Sequence, residues 1–148
     1  MVWDVVPGRH TRADACRDKA SRLKLFVKEL GMIRHKAQIA PLIRERFFGG
    51  EGSLHSVPLL TGDEFHGKGR TFAVNTLKPG HSIGVHTHKG DFEVYYILKG
   101  EGIFHDNGVD VRVKAGDVAY TWDGQCHGMI NDGAEDMEIV ALVLFTNT

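Results

Sequence analysis

The chain has 148 residues, with 18 Lys/Arg against 19 Asp/Glu and a formal charge of −1. With 42% hydrophobic and 25% charged residues, this is the balance of one soluble globular domain, and a near-zero charge excludes a nucleic-acid binder that depends on a global basic field. Two Cys build no disulfide framework, which points to a reducing, cytoplasmic compartment, and no apolar run nears the ~20 residues that cross a bilayer.

Residues 1–31 read as a basic N-terminal extension. They carry seven Lys/Arg and four acids, a net +3 against −4 for the remainder. Thr11 and Asp14 have the spacing of a helix start. Ala13, Cys16, Ala20, Leu23, Val27 and Leu30 then recur at three- and four-residue steps up to Gly31, which predicts an amphipathic helix. No apolar core of a secretory signal is present there. The extension reads as a helix packed on the main domain, or as sequence ahead of a start at Met32. The domain proper is 32–148.

From residue 50 the pattern is that of strands. Short apolar or alternating runs cover 54–60, 70–77, 92–98, 103–105, 109–113, 118–121, 128–130 and 137–145, separated by turns that contain Gly. Asn107-Gly108 predicts a two-residue hairpin turn, because a type I′ turn needs positive φ at both central positions. Many short strands at near-regular spacing predict an all-β sandwich or barrel. The last run, 139–145, is apolar on both faces. One face fills the barrel, and the other needs the N-terminal helix or a second copy, so a homodimer is expected.

Five of the nine His lie between 81 and 127. His86 and His88 are two apart, so on a strand both rings leave the same face. Glu93 follows across Lys89-Gly90-Asp91, and a hairpin there would set it opposite the pair. Imidazole and carboxylate ligands of that kind suit Mn, Fe, Ni, Cu or Zn.

The full frame is G-x5-H-x-H-x4-E-x6-G from Gly80 to Gly100. Fifteen residues separate Gly100 from Gly116, where a second frame starts and runs through Trp122, Gly124 and His127 to Asn131. In these two frames the chain resembles the cupin superfamily, with Trp122 standing where Pro is usual. The resemblance implies a double-stranded β-helix, a jelly-roll-like barrel, with a divalent metal held by His86, His88, Glu93 and His127. Mn or Fe is expected first, with Ni or Zn as alternatives. Residues 94–102 and His105-Asp106-Asn107-Gly108 look like the oxalate-decarboxylase-like group of small cupins.

Such a centre, if six-coordinate, leaves two positions for a small oxygen-rich acid. The expected function is a metal-dependent oxidoreductase or decarboxylase acting on that acid. The alternatives are a non-catalytic metal- and small-molecule-binding protein, or an isomerase or lyase acting on a sugar acid. Strand phase puts Tyr95 with Glu93, and groups Tyr120 with Trp122. Tyr95 and Tyr120 are therefore candidate hydrogen-bond donors or general acids. Arg70 is a candidate anchor for an anion, and Trp122 a candidate wall of the pocket mouth. Arg112 should face solvent. Asp91 reads as a turn residue, and Cys126 as packing.

Overall fold

A computed structural model describes residues 33–147, so the expected helix over 11–31 lies outside them. Ten strands follow: β1 (Leu42–Glu45), β2 (Ser53–Leu60), β3 (Gly69–Leu77), β4 (Ser82–Thr87), β5 (Asp91–Lys99), β6 (Glu101–Asp106), β7 (Val109–Lys114), β8 (Val118–Thr121), β9 (Cys126–Ile130) and β10 (Met137–Phe145). Every run read as a strand from the sequence falls on one of them. β1 and β4 are additional. β1 is four exposed residues and has no alternation to read.

The strands form two antiparallel sheets, ordered β1-β2-β3-β10-β5-β8 and β4-β9-β6-β7. This is the expected all-β double-stranded β-helix. The β6–β7 hairpin closes at Asn107 and Gly108, whose φ values of 45° and 94° are those of the type I′ turn their residue types favour. The unit that holds these strands begins at Ile39; among residues 33–38 the structure has a 3-10 turn over Lys36–Gln38.

Period-two alternation builds the core. On β10, Met137, Ile139, Ala141 and Val143 are buried, and the residues between them are half-buried. Opposite them stand Leu77 on β3 and Tyr95 and Ile97 on β5, while Ile83, Phe104, Val113 and Met129 come from the second sheet. Full burial of each large aliphatic side chain here contributes roughly 1.5–3 kcal/mol. Asn131, the last fixed residue of the second frame, is fully buried. Its Nδ2 donates to the Leu77 and Glu135 carbonyls at 2.8 Å each, and its Oδ1 accepts from the Gly133 N–H at 3.0 Å. It pins the loop before β10.

One irregularity positions the site. Between Ile83 and His86 the β4–β9 register slips: Ile83 faces Met129 but His86 faces His127, so three steps on β4 match two on β9. This bulge turns Val85 outward and leaves both Ile83 and His86 directed inward, which plain alternation forbids. Gly84 sits inside the bulge. A Cβ there would run into the Phe48 carbonyl oxygen and the Gly50 nitrogen. Gly84→Ala is therefore expected to cost about 1–3 kcal/mol by pushing the Phe47–Gly49 turn off β4. Chemical denaturation measures this, and an unchanged midpoint would refute the role given to Gly84.

The turn between β4 and β5 is not the hairpin expected from Lys89-Gly90-Asp91. β4 pairs with β9 and β5 with β10 and β8, in different sheets. The chain crosses the barrel wall there. Glu93 meets His86 and His88 from the facing sheet, not from a neighbouring strand.

Candidate metal centre

His86 comes from β4, His88 from just beyond its end, Glu93 from β5 and His127 from β9. One donor atom from each lies within 4.8 Å of all the others. The Nε2 atom of His127 is 3.1 Å from that of His88 and 3.2 Å from that of His86. Glu93 Oε2 is 2.9 Å from His127 Nε2, 3.3 Å from His88 Nε2 and 3.9 Å from His86 Nε2. His88, Glu93 and His127 are buried and His86 is half-buried.

The tautomers follow from the outer partners. His86 Nδ1 lies 3.0 Å from the Gly84 carbonyl, and His88 Nδ1 lies 2.6 Å from Asp91 Oδ1. A carbonyl and a carboxylate only accept, so both Nδ1 atoms carry hydrogen. In the neutral rings each Nε2 then turns a lone pair inward, toward the other donors. His127 has no hydrogen-bond partner at Nδ1. Its ring packs against a tilted Tyr95 and, edge-on, against Phe104, with centroids 5.0 and 5.4 Å away. Phe48 stacks on His86 at 3.8 Å and 10°. Lone pairs and a carboxylate converging in a buried space need a cation between them. Ligands about 2.1 Å from one ion sit about 3.0–3.4 Å apart when adjacent, and most of the spacings match. The residues fit a divalent metal.

The electrostatics agree. Without a metal, burial alone would push the Glu93 carboxyl up, but the hydrogen bonds that His127 and His88 donate when their Nε2 atoms carry a proton outweigh it and hold it at about 2. Burial lowers the His86 pKa below its ordinary value. Burial also disfavours the charged form of His88, yet Glu93 and Asp91 together raise its pKa. A metal that takes the His88 Nε2 lone pair must displace the proton held there. Metal uptake by the metal-free protein is thus expected to release protons, and affinity should fall up to about tenfold per pH unit as pH drops below neutrality. Titration in buffers of different ionisation enthalpy measures both effects. A pH-independent affinity would contradict this arrangement.

Residues 73–144 match the family model described as a cupin domain. An oxalate-binding protein of Thermotoga maritima is 45% identical over 114 residues, which cover 77% of this chain and 94% of that one. The chain belongs to the cupins. A Thermotoga maritima crystal structure described as a predicted oxalate decarboxylase superposes on this cupin with a TM-score of 0.74. It is 44% identical, over 77% of this chain and 99% of that one. An uncharacterized Klebsiella pneumoniae protein with a double-stranded β-helix domain gives 0.59 at 25% identity, over 79% and 92% of the two chains.

The remaining candidates of this cupin divide sharply. Tyr95 is buried one strand repeat from Glu93. Burial, reinforced by the Glu93 charge, drives its phenol pKa far above 10, so it remains a neutral donor. Arg70 opens β3, and its Nε donates to Asp91 Oδ2 at 2.6 Å. Its side chain also lines a cavity of about 230 Å³ against the cage, walled by Arg44, Phe47, Asn75, His86, Glu93 and Tyr95 among others. Arg112 is exposed and forms a two-point pair with Asp132. Cys126 is a half-buried free thiol.

Tyr120 and Trp122 do not reach this cavity. Glu93 pairs with Thr121, and Val94 with Tyr120, so Thr121 is the inward residue and Tyr120 faces out. Tyr120 is 52% and Trp122 46% exposed. Both rings pack on Phe92 outside the barrel, with centroids 5.7 and 5.2 Å away. The parity of β8 against β5 decides this and sets both rings on the outer side of the sheet, away from the four donors. Trp122 also uses what Pro lacks: its N–H donates to Gln125 Oε1 at 2.7 Å, closing the turn before His127.

Asp91 was misread as a turn residue. It is the buried first residue of β5, in phase with Glu93, and it joins Arg70 to His88. Hydrogen bonds from Arg70 and His88 overcome its burial and lower its pKa, so it is a carboxylate. Its signal was parity, two residues before Glu93. Phe48, Ser56 and Asn75 gave no local signal at all.

Proposed function

We propose that this cupin holds one divalent ion at His86, His88, Glu93 and His127, and that the ion takes a small oxygen-rich acid of the oxalate class as substrate. The convergence of four donor atoms beside a cavity carries this reading. Three neutral imidazoles and one carboxylate leave a divalent ion a net charge near +1, which favours an anion. Arg44 and Arg70 line the same cavity and add to that field. Two of six coordination positions would stay open to the acid. When bound, the ion supplies Lewis acidity, or redox chemistry if it is Mn or Fe. Decarboxylase- or dioxygenase-type turnover is the reaction class.

Within that scheme Tyr95 orients Glu93 and supplies a neutral hydroxyl at the cavity wall. Burial holds its phenol neutral and makes it a poor proton source, which favours a second reading, tight acid binding without turnover. The Thermotoga relative's description as oxalate-binding points the same way. A homodimer belongs to the same proposal. Val118, Tyr120, Trp122, Tyr96 and Leu98 stand exposed on the outer face of the six-stranded sheet, where a second copy would cover them.

The test is calorimetric titration of oxalate into protein loaded with Mn²⁺ or Fe²⁺, followed by assay of CO₂ release and O₂ uptake. Metal-dependent binding with product formation supports the enzyme. Binding without turnover supports the second reading. No metal-dependent binding of oxalate or of related two- and three-carbon acids would overturn both.

A further inference from the structure

The cavity beside the cage extends well past the metal ligands, and two polar side chains stand toward its far end beside Leu42 and Leu54. On the inner face of the six-stranded sheet, one row joins Thr71, Val143, Glu93 and Thr121; a second joins Ala73, Ala141 and Tyr95; a third joins Ser56, Asn75, Ile139 and Ile97. Residues two apart on a strand are about 7 Å apart. The Asn75 row therefore lies roughly 13 Å along the sheet from the Glu93 row. Ala73 and Thr71 line the space between them, with Tyr95 from the same row as Ala73.

Ser56 and Asn75 face each other across the β2–β3 ladder. Both are buried, and both line the cavity. Asn75 is 5% exposed, and its Oδ1 has no hydrogen-bond partner. An unsatisfied buried amide oxygen in a protein interior is uncommon and calls for a donor. The cavity of about 230 Å³ equals nearly eight volumes of the ~30 Å³ that a water occupies in the liquid. A two-carbon diacid has six heavy atoms and carries no hydroxyl to offer Asn75.

We propose that the cavity takes an extended, hydroxylated acid, with its carboxylate end at the metal and a distal hydroxyl donating to Asn75 Oδ1 beside Ser56. This rests on the metal-and-acid reading above and extends its substrate class beyond two- and three-carbon acids to polyhydroxy acids on the scale of a six-carbon sugar acid. Arg70, held by Asp91, stays near the anionic end, and the polar pair reads the other.

Calorimetric titration of the metal-loaded full chain with D-galacturonate and with oxalate tests it, on the wild type and on Asn75→Leu, which removes the amide at similar volume. The wild type should bind galacturonate. Asn75→Leu should weaken that binding about tenfold and leave oxalate binding unchanged. Ser56→Ala should weaken galacturonate in the same direction, by a smaller factor. If the wild type binds oxalate but not galacturonate, the inference fails and the metal-and-acid reading stands. If Asn75→Leu weakens both acids equally, Asn75 is a packing residue and the inference fails. If neither acid binds, the underlying reading fails with it.

Discussion

His88→Ala is expected to lose most of its bound divalent metal. His88 supplies one of the four donors, its Nε2 lies 3.1 Å from that of His127 and 3.3 Å from Glu93 Oε2, and it is 1% exposed. The loss in affinity should exceed the ~10–100-fold typical of removing a residue that only supports a ligand. Elemental analysis after dialysis reads this directly. Folding is checked separately by far-ultraviolet dichroism, because the truncation leaves a small cavity. The variant should also show less proton release on metal addition, since the group whose pKa is raised has gone. Stoichiometric metal in the folded variant would show that the ligands lie elsewhere.

Asp91→Asn is expected to weaken metal binding about 10–100-fold with the fold retained. Asp91 accepts from His88 Nδ1 and from Arg70 Nε, both at 2.6 Å. The carboxylate fixes the His88 ring and makes its Nε2 a better donor to a cation. An amide in its place keeps the shape and one acceptor, but loses the charge and the pair with Arg70. Metal-competition titration with a chelator measures the change. Arg70→Lys should cost less, because the ammonium keeps the charge while losing the planar guanidinium. Equal metal affinity in wild type and Asp91→Asn would remove Asp91 from the support of the centre.

The cage was legible because its spacing is local. His86 and His88 share strand parity, and the fixed gaps to Glu93 and His127 are set by short strands and their glycine turns. The barrel was legible for the same reason, since alternation and turn residues repeat along residues 53–145. What failed was relative parity between strands. Nothing in residues 118–122 tells which of Tyr120 and Thr121 faces Glu93; the β5–β8 register decides that, and it sends Tyr120 and Trp122 outward. The β4 bulge was equally hidden, because one extra residue leaves no mark on the hydrophobic pattern. Phe48 reaches His86 through a turn in which Arg46 and Phe48 have φ of 47° and 52°. Such left-handed backbone in residues other than Gly is strained and is held by its surroundings. Here Gly84 makes room for the turn, and the pairing of two segments far apart in sequence cannot be read from either one.

The central claim is that His86, His88, Glu93 and His127 hold one metal ion. Anomalous diffraction from crystals of the protein loaded with Mn²⁺ tests it most directly. The expected result is one strong peak per chain, within bonding distance of the three Nε2 atoms and a Glu93 carboxylate oxygen. A map with no peak among these four side chains, or with a metal bound elsewhere and the cage empty, would contradict the account.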